Sequence, residues 1–288
     1  MAHDPATRAR VARYRFAALR PTDEITVPDF PPQTGWINAP FVRMGTLLGR
    51  NAPLVWFWDL GSLNSMRTLP YLLEWHRRYA DAGLKVIGVH SPQFDFGHDA
   101  ATVEQAVQRL AIPFPVAVDS DYAIWRQYGN EVWPALYLWD RRGTLRHYHF
   151  GEGLYDDTEN AIGEVLREID PDVQLPETMA PLRPTDAPGA LVKPPTPHTF
   201  LNEDRSPWPI GPGEALRIRY AAAGAAAVLD GTGEVEVLID DDRVRTIVLD
   251  GPRLYDLVDT GAHEEHELAL VFEDAANAYA FSFVPGPA

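Results

Sequence analysis

The sequence contains no cysteine, which excludes disulfides, thiolate metal sites and thiol nucleophiles from this chain. It also has no run of 18 apolar residues, and its first twenty residues lack the apolar core of a signal peptide. We therefore expect a cytoplasmic chain without a membrane span. Lysine occurs only at Lys85 and Lys193, and the net charge is −16. Such acidity argues against nucleic acid and anionic membrane surfaces as partners, because both need a basic face.

The length and the distribution of proline predict two domains. A chain of 288 residues with 45% hydrophobic content is long enough for two modest cores. Eight prolines fall between residues 171 and 197 without a hydrophobic period, which is typical of a stiff linker. We predict an N-terminal extension at 1–34 with a short helix over 5–20, a first domain at 35–170, the linker at 171–197 and a second domain at 198–288.

The first domain alternates between strand and helix patterns. Buried strands are predicted at 53–58, 84–90 and 114–119, and a hairpin at 135–140 and 144–150, turning at 141–143. Helices are predicted at 68–83, 100–111 (capped by Asp99), 121–129 and 157–169. This order requires a crossover-connected parallel sheet with an antiparallel edge hairpin.

The second domain has strand patterns alone, which is typical of a β-sandwich or jelly roll. The predicted strands are 215–220, 225–230, 234–240, 245–250, 254–259, 266–272 and 278–284. Glycine, aspartate and proline turns separate them.

The motif WFWDLGSLNSMRTLP at 56–70 carries the main functional signal. An apolar strand breaks into a Gly/Ser/Asn turn and then into a helix that contains a proline, which is the frame that usually presents a Cys-x-x-Cys pair. Ser62 and Ser65 stand where the two sulfurs would be.

The stretches that begin WFWDLGSLNSMRTLPYLLEW and AIPFPVAVDSDYAIWRQYG resemble the thioredoxin-like domain of the DipZ and TlpA-type thiol-disulfide oxidoreductases, over about residues 35–168. TPHTFL and the strands after it resemble the carbohydrate-binding-module-like jelly roll that follows in that family. The resemblance implies that Ser62 and Ser65 replace the two cysteines, that the Trp133–Pro134 bond is cis, and that Trp56 occupies the position of a buried acid. Gly151-Glu152-Gly153 matches a further landmark, which we interpret as architectural.

These replacements predict a protein that has lost dithiol chemistry. The field of a helix N-terminus brings a thiol pKa of about 8.5 into reach, but it does not ionise a serine hydroxyl near neutral pH. We therefore interpret the chain as a redox-inactive, cofactor-free protein that binds a peptide or partner protein at the former active-site groove. The expected binding residues are Asp59, Asn64, Trp133 and Pro134. The alternative is an enzyme of the thioredoxin superfamily that acts through other residues or through a partner.

Three further chemistries are open from the residue types. Ser62 or Ser65 acts as a nucleophile in a hydrolase if His90 or His76 supplies a base and Asp59 orients it. Glycan binding by the second domain would use exposed aromatic rings, and Trp208, Tyr255 and Tyr279 are the candidates. Metal binding has only weak support, from histidine pairs and from an aspartate cluster at 240–242.

Overall fold

The computed structural model describes residues 25–288, and the helix predicted at 5–20 lies outside them. The chain forms two compact units. Of residues 25–288, the first unit comprises 25–59, Asn64–Ser91 and Val103–Met179, and the second comprises Leu60–Leu63, Pro92–Thr102 and Ala180–Ala288. Among the described residues, no helix is both long and apolar enough to cross a membrane.

The first unit is built on one mixed sheet flanked by helices. Its strands are β1 (Gly35–Ile37), β2 (Ala52–Trp58), β3 (Leu84–His90), β4 (Val116–Val118), β5 (Ala135–Trp139) and β6 (Leu145–Phe150). Its helices are α1 (Met44–Leu47), α2 (Leu63–Tyr79), α3 (Ala100–Arg109), α4 (Ala123–Tyr128) and α5 (Tyr155–Ile169). A 3₁₀ turn, Asp95–His98, precedes α3.

The strand order is β1-β4-β3-β2-β5-β6, in which β2, β3 and β4 run parallel. Strand β5 pairs antiparallel with β2, and β6 pairs antiparallel with β5. The predicted parallel sheet with an antiparallel edge hairpin is thus confirmed, and it is the thioredoxin-like arrangement. Every residue of β2 is buried, as its unbroken apolar run predicts for a strand covered on both faces.

Helix α2 begins earlier than predicted, and helix α3 has the predicted cap. The helix predicted at 68–83 begins five residues earlier and ends at Tyr79, so Pro70 lies inside it. A proline removes one helical hydrogen bond, and the burial of Leu69, Leu72 and Trp75 on the same helix compensates for that loss. The predicted cap of α3 is confirmed, since the Asp99 carboxylate accepts the Thr102 N–H at 3.0 Å.

The second unit is antiparallel throughout. Its strands are β7 (Val192–Lys193), β8 (Thr199–Phe200), β9 (Trp208–Ile210), β10 (Ala215–Ile239), β11 (Asp242–Asp250), β12 (Arg253–Phe272), β13 (Ala276–Val284) and β14 (Gly286–Pro287). The all-strand character predicted for this region is confirmed. A jelly-roll topology stays a prediction.

Several strands predicted as separate are continuous in the structure. Strand β10 spans three of them, because irregularities along it, one of them at Gly224, shift the register instead of ending the strand. Gly224 lies at one such shift, and a Cβ there would come within 2.6 Å of the Val258 carbonyl oxygen. Only glycine fits at position 224, so close to the neighbouring strand. Gly224, which the sequence suggested as part of a turn, instead allows one strand to bend and change its pairing partner.

The first part of the predicted linker is held by a buried carboxylate of the first unit. Glu159 on α5 accepts the Tyr79 hydroxyl at 2.6 Å and the Met179 N–H at 3.0 Å. The pKa of Tyr79 is raised to about 12, mainly by burial and to a smaller extent by the hydrogen bond to Glu159. Arg78 also donates to the Glu177 carbonyl. Residues 171–179 therefore have fixed contacts, although their composition is that of a linker.

We expect limited proteolysis to reflect this contact. Thermolysin should cut the native chain beside the exposed Leu191 and spare the bonds before Val173 and Leu175, because cleavage requires local unfolding. Glu159→Ala leaves the Tyr79 hydroxyl without its acceptor and should open the 171–179 segment to cleavage, as read by mass spectrometry. Glu164→Ala, an exposed position on the same helix, is the control. Cleavage of native protein before Val173 or Leu175 would contradict the contact.

Candidate functional site

The candidate site lies where the interior strand β2 ends and the interior strand β5 begins. We call this end of the sheet the site edge, as distinct from the edge strands β1 and β6. Phe57 is paired with Ala135, and Ala135 with Phe150. This register brings the residues after β2, before β5 and after β6 together at the site edge. The Gly151 N–H donates to the Pro134 carbonyl at 2.8 Å, and the Trp133–Pro134 peptide bond is cis, as the resemblance implied.

The two serines that replace the dithiol are buried. Ser65 lies in the first turn of α2 and is fully buried, and the Asp59 backbone N–H donates to its hydroxyl oxygen at 3.4 Å. Ser62 retains 6% exposure. Asn64 between them is exposed. Of this motif, the amide of Asn64 is therefore the group best placed to meet a ligand.

Asp59 lies in the core, where it is paired with His90. The Asp59 Oδ2 and His90 Nε2 atoms are 3.5 Å apart, and both side chains have no solvent exposure. The His90 ring also meets the ring of Trp58 edge-on at 4.9 Å. A buried pair of this kind is expensive to break, because removing one partner leaves the other desolvated. Asp59 thus supports the site from below and does not line its surface.

Trp56 occupies the core position implied for the buried acid. It is fully buried, and its ring stacks on that of Trp58 with centroids 5.1 Å apart and planes 10° apart. The two tryptophans share one face of β2 because side chains two residues apart on a strand point the same way. Phe114 packs against Trp56 edge-on at 6.3 Å. An apolar aromatic stack therefore lies where the resemblance places a proton acceptor.

Trp133 is held in one orientation beside the cis peptide. Its indole N–H donates to the Ser91 carbonyl at 2.8 Å, and its ring lies 4.3 Å from that of Trp125. The side chain is half-buried. A fixed, partly accessible indole suits the recognition of a ligand, since little side-chain entropy remains to be lost on binding.

Sequence reasoning missed a buried hydrogen-bond network behind Trp133. The Ser91 hydroxyl donates to the Asp119 carboxylate at 2.8 Å, and Asp119 also accepts the backbone N–H groups of Ile124 and Trp125 at 2.8 and 2.9 Å. Burial raises the pKa of Asp119, and these hydrogen bonds oppose that rise. The available signal was an aspartate at the end of a strand, shortly before a helix, which is a capping position.

A further contact that the sequence did not predict fixes the turn after β6, at residues 151–153. The Arg67 Nε and Glu152 Oε1 atoms are 2.6 Å apart, and both side chains are largely buried. The Tyr155 hydroxyl donates to Glu152 at 3.4 Å. These contacts agree with the architectural interpretation of Gly151-Glu152-Gly153, because they connect this turn to helix α2.

The hydrolase alternative finds no accessible nucleophile–base pair. Ser65 and His90 are fully buried, so no substrate reaches them in this conformation. His76 lies elsewhere, with its ring 5.6 Å from that of Phe114, and burial lowers its pKa.

The metal candidates are engaged in other contacts. The His147 Nε2 lies 3.1 Å from the Thr158 hydroxyl, and burial lowers the pKa of both His147 and His149. Asp240 pairs with His266 at 2.7 Å, and Asp241 pairs with Arg217 at 2.9 Å. Within residues 25–288, no cluster of three or more His, Asp or Glu side chains is arranged to hold a metal ion.

The glycan candidates divide by exposure. Trp208 is 48% exposed, whereas Tyr255 and Tyr279 are buried. The two tyrosines therefore serve the core of the second unit. One exposed ring remains for sugar stacking.

Comparison with known proteins finds matches to both parts of the chain. Residues 38–148 match the AhpC/TSA family, and residues 200–283 match the thioredoxin like C-terminal domain. Protein DipZ of Mycobacterium tuberculosis (strain CDC 1551 / Oshkosh) is 31% identical over 266 residues, covering 79% of this chain and 38% of DipZ. The chain thus spans well under half the length of that relative.

A shorter relative matches the first unit. Thiol-disulfide oxidoreductase YkuV of Bacillus subtilis (strain 168) is 28% identical over 144 residues, covering 50% of this chain and 96% of YkuV. The solution structure of a thioredoxin-like protein in the oxidized form superposes with a TM-score of 0.46 at 28% identity, covering 50% of this chain and 97% of that one.

Proposed function

Because the chain joins a thioredoxin-like domain of the AhpC/TSA family to a thioredoxin like C-terminal domain, we propose that it is a redox-inactive member of the thioredoxin superfamily that binds an extended peptide segment. The observation that carries this proposal is the pair Ser62 and Ser65 at the two dithiol positions. Relatives such as YkuV are named for thiol-disulfide chemistry, and this chain has no thiol with which to perform it.

The loss of redox activity follows from the chemistry of serine. Thiol–disulfide exchange needs a thiolate that attacks a disulfide sulfur and forms a mixed disulfide. A serine hydroxyl stays protonated near neutral pH and forms no such bond. The buried Trp56–Trp58 stack further supports the proposal, because an apolar environment disfavours ionisation of any neighbouring group.

Peptide binding, in contrast, needs no sulfur. An extended peptide can pair with backbone at the edge of a sheet and place its side chains into neighbouring pockets. In the first unit, the half-buried Trp133, the cis Pro134 and the exposed Asn64 lie at the ends of the interior strands β2 and β5, and such a peptide would lie against them there. The buried polar groups, Asp59 with His90 and Ser91 with Asp119, act as supports that hold this edge in place.

Substitution of Trp133 tests the binding proposal. On an array of eight-residue peptides with varied apolar and charged residues, the native protein should select a subset, and Trp133→Ala should weaken binding to it by about tenfold or more. Trp208→Ala, which removes an exposed indole from the second unit, should leave the selection unchanged. An array signal that is equal in all three proteins would refute binding at this edge.

A further inference from the structure

Leu154 combines two unfavourable properties at the edge of the candidate site. Its side chain is 57% exposed, and its backbone adopts the left-handed conformation, with φ 48° and ψ 41°. Glycine and asparagine adopt this conformation at lower energy than a branched aliphatic residue. Among non-glycine residues with positive φ in 25–288, Leu154 is the one aliphatic side chain larger than alanine.

Contacts on both sides of Leu154 hold its backbone in the left-handed conformation. The Leu154 carbonyl accepts the Thr158 N–H at 3.2 Å and the Thr158 hydroxyl at 3.3 Å, in the first turn of α5. On the other side, the Arg67–Glu152 ion pair holds the preceding turn. These contacts use the backbone of residue 154 and would accept glycine or asparagine equally well. They do not explain an exposed leucine.

The position of Leu154 suggests what the leucine does. It ends the turn that begins at Gly151, whose N–H donates to the Pro134 carbonyl. The start of this turn therefore lies beside Pro134, at the edge where we propose that peptides bind. A strained residue whose backbone contacts do not require its side chain points to a function for that side chain.

Beside the Arg67–Glu152 ion pair, the charged residues in the three segments that form this end of the first unit are acidic. Residues 59–66, 130–135 and 149–158 contain no lysine or arginine, whereas they include Glu131, Asp156 and Asp157. Asp157 is exposed, and Glu131 and Asp156 are partly exposed. A binding partner with positive charge would be attracted to this edge, and an acidic one would be repelled.

We propose that Leu154 is a specificity-determining contact for an extended peptide segment that carries an aliphatic or aromatic residue flanked by lysine or arginine. The apolar residue of the peptide packs against Leu154 and Trp133, and its basic neighbours face Glu131, Asp156 and Asp157. This inference rests on the proposed function, and it adds the chemical class of the ligand.

Substitution of Leu154 should separate binding from stability. Leu154→Asn relieves the backbone strain, so the melting temperature should rise by about 2 °C. The same change removes the apolar contact, so affinity for peptides with Leu or Phe between two Lys residues should fall by about tenfold. Leu191→Asn is the matched control, because Leu191 is exposed in the second unit. It should leave the affinity unchanged.

The charge component is tested with the same peptides. Asp156→Asn/Asp157→Asn should weaken the binding of Lys-flanked peptides and abolish the preference over Glu-flanked ones, and added salt should weaken native binding. Asp81→Asn/Glu164→Gln, which removes two exposed carboxylates of the same unit, should have no such effect.

The outcomes distinguish this inference from the proposed function. If peptides bind and Trp133→Ala abolishes binding, but Leu154→Asn and the aspartate variant bind normally, Leu154 has no such role and the proposed function stands. A lower melting temperature in Leu154→Asn would refute the strain argument. If the native protein selects no peptide at all, both the inference and peptide binding fail.

Discussion

Replacing Trp56 with alanine is expected to lower the free energy of unfolding by about 3–5 kcal/mol, the usual cost of truncating a large buried aromatic side chain. Trp56 is fully buried and stacks on Trp58. Its loss leaves a cavity beside Trp58 and Phe114 and removes an aromatic pair worth about 0.5–1.5 kcal/mol beyond the buried area. Urea unfolding followed by tryptophan fluorescence and circular dichroism measures the change.

Trp208→Ala provides the comparison for this substitution. Trp208 is about half exposed, so its removal should cost less than about 1 kcal/mol. Equal losses from the two substitutions would mean that the Trp56–Trp58 stack does not hold the site. An aspartate at position 56 would be buried against Trp58 and Phe114. Restoring an acid there would therefore carry a desolvation cost.

Replacing Asp59 with alanine is expected to cost about 1–3 kcal/mol, because it removes the carboxylate that lies beside the buried His90 ring. The two side chains have no exposure, and the distance between Oδ2 and Nε2 is 3.5 Å. The substitution should also reduce peptide binding, since the Asp59 side chain supports the end of β2 through its contact with His90.

A surface ion pair supplies the control for Asp59. Asp241 lies 2.9 Å from Arg217 and its side chain is 78% exposed, so Asp241→Ala should change stability by less than about 1 kcal/mol. If the two aspartate variants unfold at the same urea concentration as the native protein, the buried pair does not contribute to stability and the support we assign to it is absent.

The periodicity of the sequence predicted most of the first unit. Strands such as 84–90, observed as β3 (Leu84–His90), were recovered because parallel strands covered on both faces are unbroken apolar runs. The start of α2 at Leu63 was missed, since Pro70 and the Gly/Ser turn favoured a later beginning. In the second unit, glycines that normally mark turns permit bends within β10, a role that depends on neighbouring strands and leaves no local signal.

The candidate site was less predictable than the fold. Ser62, Ser65 and Pro134 follow from the motif and from the resemblance, because they are defined by their place in the chain. The pairing of Asp59 with His90 joins residues on adjacent strands, and periodicity does not report which polar groups meet across a sheet. Leu154 gave no signal either, since its unusual backbone conformation depends on contacts made by Glu152 and Thr158.

The most direct test of the central claim is insulin reduction by dithiothreitol, measured with the native protein and with Ser62→Cys/Ser65→Cys. The double variant is the positive control, because it restores two thiols to a thioredoxin-like frame at a helix N-terminus, where a lowered pKa favours the thiolate. We predict that the native protein leaves the rate at that of dithiothreitol alone, while the double variant increases it. An acceleration by the native protein equal to that of the double variant would contradict a redox-inactive protein.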